Sequence, residues 1–122
     1  MATLADSMIM VDGYFRAKDG KEVESKKKIP QFLNEGKQHP HLKSYTFARR
    51  ADGTVHWTER AESAEEYLAH LETIAGYIDE SFELQDFERI EVAGPASEIE
   101  KLKTNKYLSG AVFYETEEGW NR

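Results

Sequence analysis

A chain of 122 residues is long enough for one hydrophobic core and no more, and its 39% hydrophobic and 32% charged residues describe a folded sequence, not a disordered one. Its 23 acids against 16 bases give a net charge of −7, which argues against nucleic acid or an anionic membrane surface as a partner because phosphate is repelled. The absence of cysteine excludes a disulfide scaffold, a thiolate metal site and a cysteine nucleophile, and it suits a cytoplasmic protein.

Met1 to Met10 contains Asp6 and no basic stretch, so it does not read as a signal peptide. No apolar run approaches the ~20 residues of a membrane helix. Nothing in the composition divides the chain, and residues 1–122 are taken as one domain. The first strand is expected over Met8 to Ala17, with Ile9, Val11, Gly13 and Phe15 on one face and Met8, Met10, Asp12 and Tyr14 on the other. Asp19-Gly20 turns the chain into a helix over Lys21 to Gly36, where Ile29, Phe32, Leu33 and Gly36 share a face. Pro30 should kink or split that helix. Leu42 to Arg49 and Thr54 to Arg60 read as a hairpin about Asp52-Gly53. The returning strand places Val55, Trp57 and Glu59 on one side and His56, Thr58 and Arg60 on the other.

Ser63-Ala64-Glu65-Glu66 is a capping box opening a second helix, whose stripe is Tyr67, His70, Leu71, Ile74 and Ile78. Phe87 to Ala93 is a strand, Pro95 starts a short helix carrying Ile99 and Leu102, and Leu108 to Glu115 is a last strand. The predicted class is α+β, a ferredoxin-like βαββαβ core with a short helix and one strand appended. Two helices roof one face of a sheet. At least half of the 14 aromatic residues lie on predicted strands, so the second face is expected to be apolar and covered by another copy, giving a homodimer.

Pro40-His41-Leu42, Tyr45, the Asp52-Gly53 turn, Val55-His56-Trp57-Thr58-Glu59 and Ser63-Ala64-Glu65-Glu66-Tyr67-Leu68-Ala69-His70 together resemble the antibiotic biosynthesis monooxygenase family. The resemblance covers roughly residues 8 to 85. It implies a dimeric α+β barrel with a pocket between helices and sheet in each subunit. It also implies oxidation of a small aromatic or enolic substrate by dioxygen without metal or flavin. Gly13 stands where the haem-degrading branch carries Asn, which argues against that activity.

His70 is the first candidate base, because it lies on the apolar stripe and a neutral imidazole can take a proton from a phenol or enol. Its other reading is a core histidine bonded to the sheet, through Glu59 for example. Glu59 either orients His70 or a substrate hydroxyl, or forms a structural pair at a strand end. Tyr14, Tyr45, Trp57 and Tyr67 are the candidate substrate-binding residues, with core or interface as the alternative for each. His39 and His41 make a poor zinc site without a third ligand, so no metal is assigned. Lys26-Lys27-Lys28 reads as a solvated helix face. The rival functions are a non-catalytic small-ligand binder and a purely structural dimer. A cavity of roughly 300 Å³ reached by His70 distinguishes the first two from the third.

Overall fold

The computed structural model describes residues 7–120; residues 1–6 of the segment considered above as a signal peptide lie outside them. The order is β1 (Ile9–Ala17), α1 (Glu22–Gly36), β2 (Leu42–Arg49), β3 (Val55–Ala61), α2 (Ala64–Ser81), β4 (Gln85–Gly94), α3 (Ala96–Leu102) and β5 (Val112–Glu115). The sheet runs β2-β3-β1-β4-β5. The first four strands are antiparallel, and β5 adds parallel to β4. A parallel neighbour needs a crossover connection, and α3 with the turn Lys106–Leu108 provides it. The architecture is therefore the ferredoxin-like α+β unit with one extra helix and strand.

The hairpin alternation holds throughout β3, where Val55, Trp57, Glu59 and Ala61 are buried and the residues between them are half-buried. Ser63 caps α2, its hydroxyl accepting from the Glu66 amide at 3.2 Å. A second cap comes from the appended helix. Glu98 is buried on α3 and accepts from the Ala64 amide at 2.9 Å, so the C-terminal extension closes the N-terminus of α2.

Three expectations are corrected. The helix α1 runs unbroken through Pro30. Pro30 is exposed, so water can take the Lys26 carbonyl that proline leaves without an amide partner. Lys28 is not solvated: it is buried, pairs with Glu80 and lies 5.7 Å from the centre of the Tyr77 ring. The last strand starts at Val112 rather than Leu108, because Asn105 accepts from the Tyr107 amide and starts a tight turn that buries Leu108.

The second face of the sheet is less apolar than the count of strand aromatics implied. Phe15, Tyr45, Phe47, Trp57 and Phe113 all pack on the helix side. The open face carries Met10, Val112 and Tyr114 together with polar pairs. His56 Nε2 sits 3.0 Å from Asp12 Oδ1 and stacks on Tyr14, and Arg89 and Tyr114 both donate to Glu91. A count of strand aromatics does not sort them by face, and a β-bulge also changes which residues of β4 face inward. Tyr14 pairs with Arg89 but Phe15 pairs with Phe87, so Glu88 is the extra residue and both Phe87 and Ile90 turn inward.

Gly13 is central to this side of the sheet. It pairs with Trp57 across β1 and β3, and a Cβ built on it would lie 2.0 Å from the indole. The Trp57 ring lies flat over the glycine backbone, a close approach that a strand glycine permits. Gly13→Ala is expected to destabilise the fold by about 1–3 kcal/mol through overpacking, read as a lowered urea midpoint together with a shifted indole emission.

Candidate functional site

The inward alternation of β3 and the apolar stripe of α2 meet at Glu59. Its side chain is 3% exposed. Glu59 Oε1 accepts from Trp57 Nε1 at 2.8 Å and from the Tyr67 hydroxyl at 3.2 Å. Glu59 Oε2 lies 3.1 Å from Nε2 of His70, off the line of a good hydrogen bond. His70 is fully buried, and its Nδ1 has no partner among the described residues. Three elements therefore converge on one carboxylate: β3 supplies it with Trp57, α2 adds Tyr67 and His70, and β2 brings Tyr45, whose ring edge meets His70 at 5.5 Å between centroids.

A cavity of about 100 Å³ lies between helices and sheet. Phe15, Phe32, Phe47, Trp57 and Phe87 form much of its wall, Glu59, Tyr45 and Tyr67 line its inner part, and the exposed ring of Phe82 stands at its rim. Glu59 is the one charged side chain among the described residues lining it. An apolar chamber with one carboxylate can seat a small ring and hold or accept a proton at a single place on it.

Of the candidate residues, Glu59, Tyr45, Trp57 and Tyr67 line this cavity. His70 does not; it stands behind Glu59, with its Nε2 3.1 Å from Oε2. Tyr14 is also corrected. It lies on the open face of the sheet against His56, because it alternates with Gly13 and Phe15, which point at the cavity. His39 and His41 do not converge on a common point. His41 pairs with Glu62, whereas the His39 ring packs against His70 at 5.5 Å between centroids with its Nε2 3.0 Å from the Thr73 hydroxyl. The cavity is smaller than the 300 Å³ taken above as the mark of a binding site. It is open at the Phe82 end, so only the reacting part of a ligand needs to be enclosed.

Gln85 also lines the cavity, a residue the sequence did not single out. It is buried, and its Oε1 accepts from the Ser25 hydroxyl at 2.5 Å. Nothing in the local sequence marks it, since Ser25 is 60 residues away. No helix among the described residues is long and apolar enough to cross a membrane.

No family model matches the chain, and no curated protein matches it. Solved structures do. MupZ from Pseudomonas fluorescens is similar at 27% identity with a TM-score of 0.85, over 95% of this chain and 95% of that one. SnoaB, a cofactor-independent oxygenase from Streptomyces nogalater, is similar at 11% identity with a TM-score of 0.62, over 70% of this chain and 90% of SnoaB. A candidate antibiotic biosynthesis monooxygenase from Chloroflexus aurantiacus J-10-fl is similar at 23% identity with a TM-score of 0.59, over 74% of this chain and 94% of the other. This chain has the antibiotic biosynthesis monooxygenase fold. The two shorter matches leave between a quarter and a third of this chain unpaired, whereas MupZ accompanies it nearly end to end.

Burial holds Tyr45 and Tyr67 protonated. Tyr67 and Tyr45 are raised well above the ordinary phenol value of 10.0, by loss of water first and by the neighbouring Glu59 second. In the unfolded chain they lose protons near that ordinary value, so above it the native state binds more protons than the unfolded state and stability falls as pH rises. In an alkaline titration followed at the tyrosinate absorbance band, these two of the six tyrosines are expected to ionise only with unfolding. Ionisation of all six before any loss of circular dichroism would contradict this.

Proposed function

We propose that the chain is a cytoplasmic, cofactor-independent monooxygenase acting on a small aromatic or enolic substrate, with Glu59 as the base that meets the substrate and His70 as its proton partner. The observation that carries the reading is the lone carboxylate on the inner wall of an aromatic cavity, backed by a fully buried imidazole. Likeness in fold to a cofactor-independent oxygenase supports it.

In this reading a ring carrying an activated CH₂ or an acidic hydroxyl sits between the aromatic walls with its acidic proton on Glu59 Oε2. Trp57 and Tyr67 both donate to Oε1, which leaves Oε2 as the oxygen for that proton and for exchange with His70. The substrate anion transfers one electron to dioxygen, and the radical pair recombines as a peroxide anion. For a CH₂ substrate the peroxide takes back a proton and eliminates water, so R₂CH₂ + O₂ gives R₂C=O + H₂O. The carbon is oxidised by four electrons and dioxygen is reduced by four, one oxygen entering the carbonyl and the other leaving as water. Apolar walls favour dioxygen and exclude the water that would reprotonate the anion.

The alternative, a non-catalytic binder of a small apolar ligand, draws support from the modest cavity and from the complete hydrogen bonding of Glu59 Oε1. Oxygen uptake with a panel of hydroquinones and cyclic enols separates the two. Glu59→Gln keeps the shape and removes the base, and it is expected to lower kcat by about 10²–10⁴-fold with little change in KM. Unchanged kcat in Glu59→Gln would remove this carboxylate from the chemistry.

We also propose that the chain pairs through the open sheet face as a homodimer, with Met10, Val112 and Tyr114 supplying apolar contact and the Asp12–His56 pair a polar one. Sedimentation equilibrium is expected to return twice the chain mass of 14.0 kDa. A mass of one chain at micromolar concentration would defeat the pairing.

A further inference from the structure

His39 lies on the loop between α1 and β2, where its spacing from His41 suggested only a poor zinc site. In the structure it is half-buried against the one side of the site that the cavity does not occupy. An imidazole has two nitrogens on opposite sides of its ring, and in His70 one of them, Nε2, lies 3.1 Å from Glu59 Oε2 without completing a hydrogen bond. The other, Nδ1, is buried with no partner among the described residues, an arrangement that is costly unless the atom is used. The His39 ring packs against His70, 5.5 Å away between centroids with the planes 76° apart, so that an edge of one imidazole meets the other.

Thr73 fixes how His39 is held. Its hydroxyl has one hydrogen, and its shortest contact is the His70 carbonyl at 2.8 Å, which can only accept. The Thr73 oxygen therefore accepts from His39 Nε2 at 3.0 Å. This hydrogen-bond pattern assigns the neutral His39 proton to Nε2 and leaves Nδ1 free to accept. Thr73 sits one helical turn beyond His70 on α2, so one residue anchors to the backbone of the first imidazole and orients the second.

We propose that Glu59, His70 and His39 form a proton relay from the cavity to solvent, with His39 as its outer station. The proposal rests on the reading of Glu59 as a base. A proton received at Glu59 Oε2 passes to His70 Nε2, while the proton on His70 Nδ1 passes to His39 and from there to water. Each transfer is one proton between a donor and an acceptor, with no net change in charge once the chain has reset. The substrate anion is then not held beside a protonated Glu59 while dioxygen arrives, and the proton needed to release water returns along the same path. The groups that face His70 are consistent with this direction of travel: Glu59 from β3, Tyr45 from β2, Tyr67 and Thr73 from its own helix, and His39 from the loop. Both tyrosines hold their protons, for the reasons given above, and do not compete as acceptors.

The experiment reads the relay in the resting protein and needs no substrate. Exchange of the His70 ring N–H with water is measured by nitrogen-15 NMR in wild type, His39→Gln and Thr73→Val, with the backbone amide spectrum as the check on folding. His39→Gln is expected to slow that exchange by about tenfold or more, and Thr73→Val, which leaves His39 present but unanchored, to slow it by less. Added free imidazole is expected to restore part of the rate in His39→Ala by occupying the vacated place. Equal exchange in wild type and His39→Gln, whether fast or slow, overturns the relay. Oxygen uptake is scored separately. If no probe is oxidised but the exchange still slows in His39→Gln, the oxygenase reading fails and the relay stands.

Discussion

The arrangement depends on one buried carboxylate. Removing Glu59 from water is costly unless donors replace the lost hydration. Two donors supply hydrogen bonds, the indole of Trp57 and the hydroxyl of Tyr67, and the imidazole of His70 lies 3.1 Å from the other oxygen. The requirement fixes the height of α2 over β3, since a helix slid by one turn would leave Oε1 without Tyr67 and Oε2 without His70. It also explains why the end of α2 nearest the site is so firmly tied. Ser63 caps it from the preceding residue, and Glu98 caps it from the appended helix α3. The C-terminal extension thus reaches the site both through the backbone of α2 and directly, since Tyr107 and Leu108 line the cavity, although α3 itself touches none of it.

The same constraint shapes the sheet. Trp57 reaches Glu59 because Gly13 on the neighbouring strand has no side chain to obstruct the indole. The bulge at Glu88 then turns Phe87 and Ile90 inward to complete the wall beneath it. Around the carboxylate the fold places aromatic rings and little else that is polar, Gln85 being held by Ser25 at the buried end of α1. The contrast between one charged group and apolar walls is what gives the cavity a chemistry. The fold alone would not supply it, since one fold hosts many activities.

Much of this was legible from local pattern. Period-two alternation placed Trp57 and Glu59 on one face of β3, and period 3.6 placed Tyr67 and His70 on one face of α2. The capping box located the start of α2 to the residue. Alternation also contained the correction to Tyr14, which falls out of phase with Gly13 and Phe15, so grouping it with the cavity aromatics relied on residue type and ignored position. Gly13 carried a usable signal too, because a glycine inside a strand marks a close approach even when its partner is not named. Pro30 and Lys28 were misread for a shared reason: whether a helix position is solvated depends on what lies over it, and the sequence of α1 does not say that Glu80 and Tyr77 do.

Sequence by itself determined the order of strands and helices and the inward faces of β1, β3 and α2, because each follows from spacings of two to four residues that the backbone reads locally. It also determined that an acidic, cysteine-free chain would build its site without thiolate chemistry. Only the tertiary structure decided that Glu59 and not His70 meets the cavity, that Gln85 joins it, and that His39 lies beside His70. Each of those outcomes is a distance between side chains far apart in the chain, set by how α2 and the α1–β2 loop settle on the sheet, and no local periodicity encodes it.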